Sequence, residues 1–136
     1  MRFGAPEWWR AVVAGLQAHP DLPAALAGLG RDGALVIEAD PPVWPRPVAV
    51  WAEQRAGRIA RWRILEDEDE ILELAPAYVV RAPYRTLRGL IQGGDPVQAA
   101  LTGRVRIEGD LEALLRRTRY RHVIEDVLAA VPTELP

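Results

Sequence analysis

The stretch GGDPVQAALTGRVRIEGD, residues 93–110, carries the densest structural punctuation in the chain. Gly93 suits the C′ position after a helix, where a positive φ costs a residue without a side chain little. Asp95 is placed to cap a new helix, with Pro96 at its first position and Gln98 at its third. Gly103 ends that helix after about two turns. Arg104 to Glu108 alternate charged and apolar residues, the period of a strand with one face covered. Gly109 breaks the strand, and Asp110 caps the helix that follows. Two capped helix starts thus flank one strand, and no residue of the stretch needs to do chemistry for the pattern to make sense.

Upstream, Trp8, Trp9, Val12, Val13 and Leu16 recur at helical spacing, and His19-Pro20 ends that helix. Asp21 can cap a short second helix carrying Leu22, Ala25, Leu26 and Leu29. ALVIEA, residues 34–39, is a β-branched run. The proline-rich segment 41–47 is a loop containing Trp44. VAVWAEQ and RIARWRIL flank Arg55-Ala56-Gly57 and predict a hairpin. Arg61 and Arg63 fall on the face opposite Trp62, so the sheet has one covered and one wetter face. The acidic block 66–70 must be solvated. Ile71, Leu72 and Leu74 either extend the sheet or cover it, and AYVVRA, residues 77–82, reads as a further strand.

Beyond it, Tyr84, Leu87, Leu90 and Ile91 share one helical face, and Val97, Ala100 and Leu101 share another. Leu111, Leu114 and Leu115, then Tyr120, Ile124, Val127, Leu128 and Val131, mark the last helices. No repeat or linker splits the chain. One α+β domain over residues 1–136 is expected, its mostly antiparallel sheet covered on one face by helices.

Composition removes whole classes of chemistry. There are 136 residues, 49% of them apolar, and a formal net charge of −2. Cys, Ser, Asn and Lys are absent, and every one of the 17 basic residues is Arg. Disulfides, thiolate and serine nucleophiles, lysine Schiff bases and the Gly-Lys-Ser/Thr phosphate loop are therefore excluded. The lack of Asn and Cys fits heat adaptation; a coding bias towards Arg, Ala, Leu and Pro fits equally. No apolar run is long enough for a membrane span, and the N-terminus lacks the apolar core of a signal peptide. A cytoplasmic protein is expected.

The motif resembles that of the sterol carrier protein family, the small lipid-binding domain also found fused to peroxisomal thiolase and dehydrogenase enzymes. The shared positions are Gly93 or Gly94, Pro96, Ala99, Gly103, Arg104 to Glu108, and Gly109-Asp110. The resemblance covers residues 30–117 well; residues 118–136 read as a C-terminal helical extension. It implies a five-stranded sheet roofed by helices, with an apolar tunnel between the layers that holds a fatty acid, acyl-CoA, sterol or phospholipid. It implies no catalytic residue and no cofactor. Trp62, Ile64, Leu87, Leu90, Ile91, Val97 and Leu101 are then the expected lining, though the same residues can instead close a solid core. Roughly a dozen methylenes entering such a space would gain about 0.8 kcal/mol each. Lost freedom on association takes back ~4–15 kcal/mol, so modest affinity is expected.

Other sites are weaker. His122 precedes Glu125 and Asp126 at helical spacing, which reads as a solvated face, and no metal is expected. Glu38, Asp40 and Glu53 are the only acid–base candidates, and only if they face a pocket. Arg116, Arg117, Arg119 and Arg121 form a basic cluster. Only Tyr120 is interleaved with it, too little aromatic character for a base-stacking surface, so no nucleic acid is expected. Arg116, Arg117 and Arg121 are instead assigned to an anionic headgroup. Trp8, Trp9 and Trp44 are core, cavity rim or a partner patch. The last option makes a homodimer or protein-interaction module the alternative to a carrier.

Overall fold

The computed structural model describes residues 1–136. The N-terminal helix α1, Pro6–Ala18, starts with Pro6 in its first turn and ends at His19, ahead of Pro20. A short α2, Leu22–Leu26, follows. Then come three strands, β1 (Asp32–Glu38), β2 (Val48–Arg55) and β3 (Arg58–Ile64). The β2–β3 connection is Ala56-Gly57, both at positive φ, the tight hairpin whose backbone twist matches its strands. Next are α3 (Glu70–Leu74), β4 (Tyr78–Pro83), α4 (Tyr84–Ile91), α5 (Pro96–Leu101), β5 (Arg106–Glu108) and α6 (Leu111–Arg116). A 3-10 turn, Arg117–Tyr120, leads into α7, His122–Ala130.

The motif folds as its residues dictate. The Asp95 carboxylate accepts from the backbone N–H of Val97 and Gln98, and Asp110 accepts from that of Ala113. Gly93, Gly103 and Gly109 all take positive φ. At Gly109 space is decisive as well: a Cβ there would sit 2.5 Å from the Ala77 carbonyl oxygen.

The five strands run in the order β3-β2-β1-β4-β5. The β1–β4 pair is parallel and the other three pairs are antiparallel. On one face the register aligns one aliphatic residue per strand in a row: Ile64, Val50, Leu35, Val80 and Ile107. Helices α1, α4 and α7 cover that face. Gly15 lets α1 approach α7 closely, since a Cβ there would meet Val127 at 2.9 Å. Residues 118–136 belong to this layer, because Val123, Val127 and Val131 are buried. The chain end is also tied down: Tyr84 donates its hydroxyl to the Pro136 carbonyl.

The opposite face is not bare. Helix α3 and Leu65 cover part of it, burying Ile71 with Leu65 against Val36, Ala49, Trp51 and Val79. Ile71 and Leu74 therefore cover the sheet rather than extend it, while Leu72, 81% exposed, points away from it. The remainder of that face is an ion-pair surface, with Arg61 and Arg63 pointing away from Trp62 as the alternation requires. No helix is long and apolar enough to cross a membrane.

Candidate functional site

The apolar content of the helix-covered face divides into two clusters. One gathers Phe3, Trp8, Trp9, Val12, Trp44, Tyr84, Val127 and Val131 over Ile37 and Val50. The other is small: Ala82, Ala99 and Val105. Leu87, half-buried on α4, touches both. Around this junction the burial is graded. Val48 is half-buried at the end of the sheet where Ile37, Ala82 and Tyr84 are sealed. In the next row only Val50 is buried; Ile64, Leu35, Val80 and Ile107 keep partial access to solvent. The row beyond it, Trp62, Ala52, Gly33 and Tyr78, is half-buried throughout. Leu35 lies on the central strand, so this access comes from incomplete cover above the sheet and not from a sheet edge.

Five of the seven residues expected to line a lipid space meet here. Trp62 and Ile64 come from β3, and Leu87, Leu90 and Ile91 come from α4; all five are half-buried and packed against one or both clusters. Val97 is half-buried on α5. Leu101 is a correction: it is 69% exposed. In a helix of six residues the inward position is Ala99, 1% exposed, and Leu101, half a turn on, faces away. Leu35, Val80 and Ile107, which share the row with Ile64, were not among the expected lining residues. The alternation of their strands marked them as inward-facing, but only the register places them in one row.

No protein-family model matches the sequence, and no curated protein does. Solved structures do. A conserved hypothetical protein of Thermus thermophilus, for which a sterol carrier identity is suggested, superposes with a TM-score of 0.73 at 21% identity, over 96% of this chain and 90% of the other. Sterol carrier protein 2 superposes with a TM-score of 0.69 at 20% identity, over 97% and 98% of the two chains. A ubiquinone synthesis protein, UbiJ-SCP2, gives 0.52 at 11%, over 87% and 85%. The chain has the sterol carrier protein 2 fold. Within that fold the graded apolar junction lies between the sheet and its helical roof.

Two further hollows are present. One of about 460 Å³ is walled by Arg46, Pro47, Ala49, Leu65 and the acidic residues 66–69. Another of about 130 Å³ lies between α4 and α5, with Arg85, Gly94, Asp95 and Arg104 in its wall beside Leu90 and Ala99, so it borders the smaller apolar cluster. Both mix charged and apolar groups in their walls, and neither is the apolar space expected between the layers.

Three of the four arginines of the basic cluster are engaged by other groups, while exposed Arg119 lies over the Tyr120 ring without an ion pair. Arg116 pairs with Glu112 and Arg121 with Glu125, each one turn away. Arg117 folds inward, its guanidinium against Gly28 and the Ala24 carbonyl. The acid–base candidates are also engaged. Glu38 is bound by Arg106, and Asp40 accepts from the Arg85 backbone N–H. Glu53 is buried beside Arg61, whose hydrogen bond holds its carboxyl below the usual carboxylate range. His122 does not use Glu125 or Asp126; its ring bonds to Asp21, and that bond raises its pKa above the ordinary imidazole value. Trp8, Trp9 and Trp44 are all buried in the larger cluster, so the aromatic partner patch is not on the surface.

Proposed function

We propose that this protein binds and carries a lipid or acyl chain in the apolar junction between sheet and roof, and catalyses nothing by itself. The observation that supports this most is Leu35: central in the sheet, beneath helices, and still half-buried. A junction between two clusters with few fully buried contacts is where local opening costs least. A hydrocarbon tail would separate the roof from Leu35, Ile64, Val80 and Leu87 and replace the solvent that now reaches them. The ligand class follows from the walls, which offer methyl and methylene groups and the Trp62 ring but few hydrogen-bond partners.

The test is a titration with saturated fatty acids of increasing length, read by displacement of a fluorescent fatty acid. Each added methylene should strengthen binding by ~0.8 kcal/mol, roughly fourfold in Kd, until the space is full. A prenyl-tailed quinone belongs in the same series, given the ubiquinone-synthesis neighbour. Saturable binding with that length dependence supports the carrier. Absence of binding across the series, or binding indifferent to chain length, rejects it. Apolar contacts carry the affinity, so changing Arg116, Arg117 and Arg121 to Gln should alter it little.

A further inference from the structure

His19 and His122, the chain's only imidazoles, are brought together by the fold, with ring centroids 5.7 Å apart. His19 ends α1, Asp21 precedes α2, His122 opens α7, and Asp126 follows it by one turn. The Asp21 backbone N–H donates to His19 Nδ1 at 3.1 Å. A nitrogen that accepts carries no proton, so neutral His19 is protonated at Nε2. That nitrogen faces Asp126 Oδ2 at 2.9 Å. His122 Nε2 lies 2.8 Å from Asp21 Oδ2. One donor atom each from His19, Asp21 and His122 lies within 4.8 Å of the others.

We propose that His19, Asp21 and His122 bind a divalent transition metal of the zinc class, with Asp126 as the carboxylate behind His19. Two imidazoles and one carboxylate suit zinc, cobalt or nickel better than magnesium or calcium, which favour all-oxygen sites. Bonds of ~2.0–2.2 Å to a tetrahedral ion hold neighbouring donors about 3.3 Å apart. The Asp21–His122 pair, at 2.8 Å, is within reach of that spacing already. The third donor, on the nearly buried His19, lies within 4.8 Å, so closing the set requires the exposed Asp21 and His122 side chains to rotate towards it. Asp126 on His19 Nε2 leaves the lone pair on Nδ1, where an ion would take the place of the Asp21 backbone N–H; a carboxylate behind the ring is the arrangement that orients a ligating histidine.

Access fits as well. The His19 side chain is 10% exposed, whereas those of Asp21 and His122 are 53% and 44% exposed. An ion can therefore enter from solvent, and three protein ligands leave a position for water. Bound there, it ties the α1–α2 turn to α7 at the end of the roof. This site is separate from the apolar junction and does not depend on its occupancy.

The experiment is isothermal titration of zinc chloride into the metal-stripped full chain at neutral pH, with native mass spectrometry for stoichiometry. One ion per chain with micromolar or tighter affinity is expected. Asp126→Asn should weaken it ~10–100-fold, as removal of an outer-shell partner does. His122→Ala and Asp21→Asn remove ligands at exposed positions and should weaken it at least as much, while Glu125→Gln on the same helix should leave it unchanged. Zinc should raise the melting temperature of the wild type and not of the His122→Ala, Asp21→Asn double variant. No saturable binding to the wild type, or undiminished binding to a double variant with native circular dichroism, overturns the site.

Discussion

Leu35 and Val80 are directly opposed on parallel neighbouring strands, yet they pack into different apolar clusters. The boundary between the two clusters therefore runs down the middle of the sheet, under the roof. Enlarging Leu35 to Trp tests whether that boundary has slack. In a closed core the extra volume would cost ~1–3 kcal/mol. Over a partly open junction it should cost less than that while occupying the ligand's place. The expected outcome is a melting temperature within a few degrees of wild type. Fatty-acid binding should be weakened at least ~10-fold, about 1.4 kcal/mol. A large loss of stability with native affinity would place Leu35 in a solid core instead.

Tyr84 and Trp44 make the opposite kind of contact. Their rings stack with centroids 4.9 Å apart and planes within 5°, and Tyr84 is fully buried. The Tyr84 hydroxyl holds the last residue of the chain through the Pro136 carbonyl. Tyr84→Phe keeps the ring and loses that bond, so it should cost about 1 kcal/mol in chemical denaturation. Lipid affinity should not change, since the larger cluster is sealed at this end. A loss of lipid binding in Tyr84→Phe would show that the two regions are coupled.

The caps of the motif carry stability and not recognition. Asp95→Ala removes the acceptor for Val97 and Gln98 N–H groups and should cost ~1 kcal/mol, within the usual range for an N-cap. Asp110→Ala, which removes the acceptor for Ala113 N–H, should behave similarly. Denaturation midpoints with an unchanged slope would be the signature; a changed slope would mean that the unit unfolds separately from the sheet.

These caps were legible because their chemistry is local. Asp95, Gly93, Gly103 and Asp110 each act on residues within a few positions, and each does what its type and spacing require; the positive φ of Gly109 is equally local, but its close approach to Ala77 is not. The strands and the opposition of Arg61 and Arg63 to Trp62 were legible for the same reason. Leu101 was misplaced because helical spacing defines a face but not which face turns inward. In a six-residue helix, small Ala99 takes the inward place. The row from Ile64 to Ile107 depends on register, and the His19–Asp126 and His122–Asp21 pairs join segments about a hundred residues apart. No local pattern encodes either. The burial of Trp8, Trp9 and Trp44 was equally hidden, since a helix rich in tryptophan suits a core and a docking surface alike.

Glu53 gives the fold a predictable response to acid. Its side chain is 7% exposed, with Arg61 at 2.8 Å, Arg55 at 3.7 Å and Arg31 at 3.9 Å, and Arg61 lies over the Trp51 ring. The Arg61 hydrogen bond, helped by the three positive charges, depresses the carboxyl pKa in the folded chain. In the unfolded chain Glu53 titrates in the ordinary carboxylate range. The folded state therefore binds the proton less readily. Its stabilisation is complete above that range and is lost as pH falls through it towards the depressed value. Glu53→Gln should lower the melting temperature at neutral pH, and the gap from wild type should close on acidification. The arginines are largely exposed, so added salt should narrow the gap as well. Thermal scans of both proteins across the acid range decide it: a gap that stays constant with pH would assign the effect to packing around Trp51 rather than to charge.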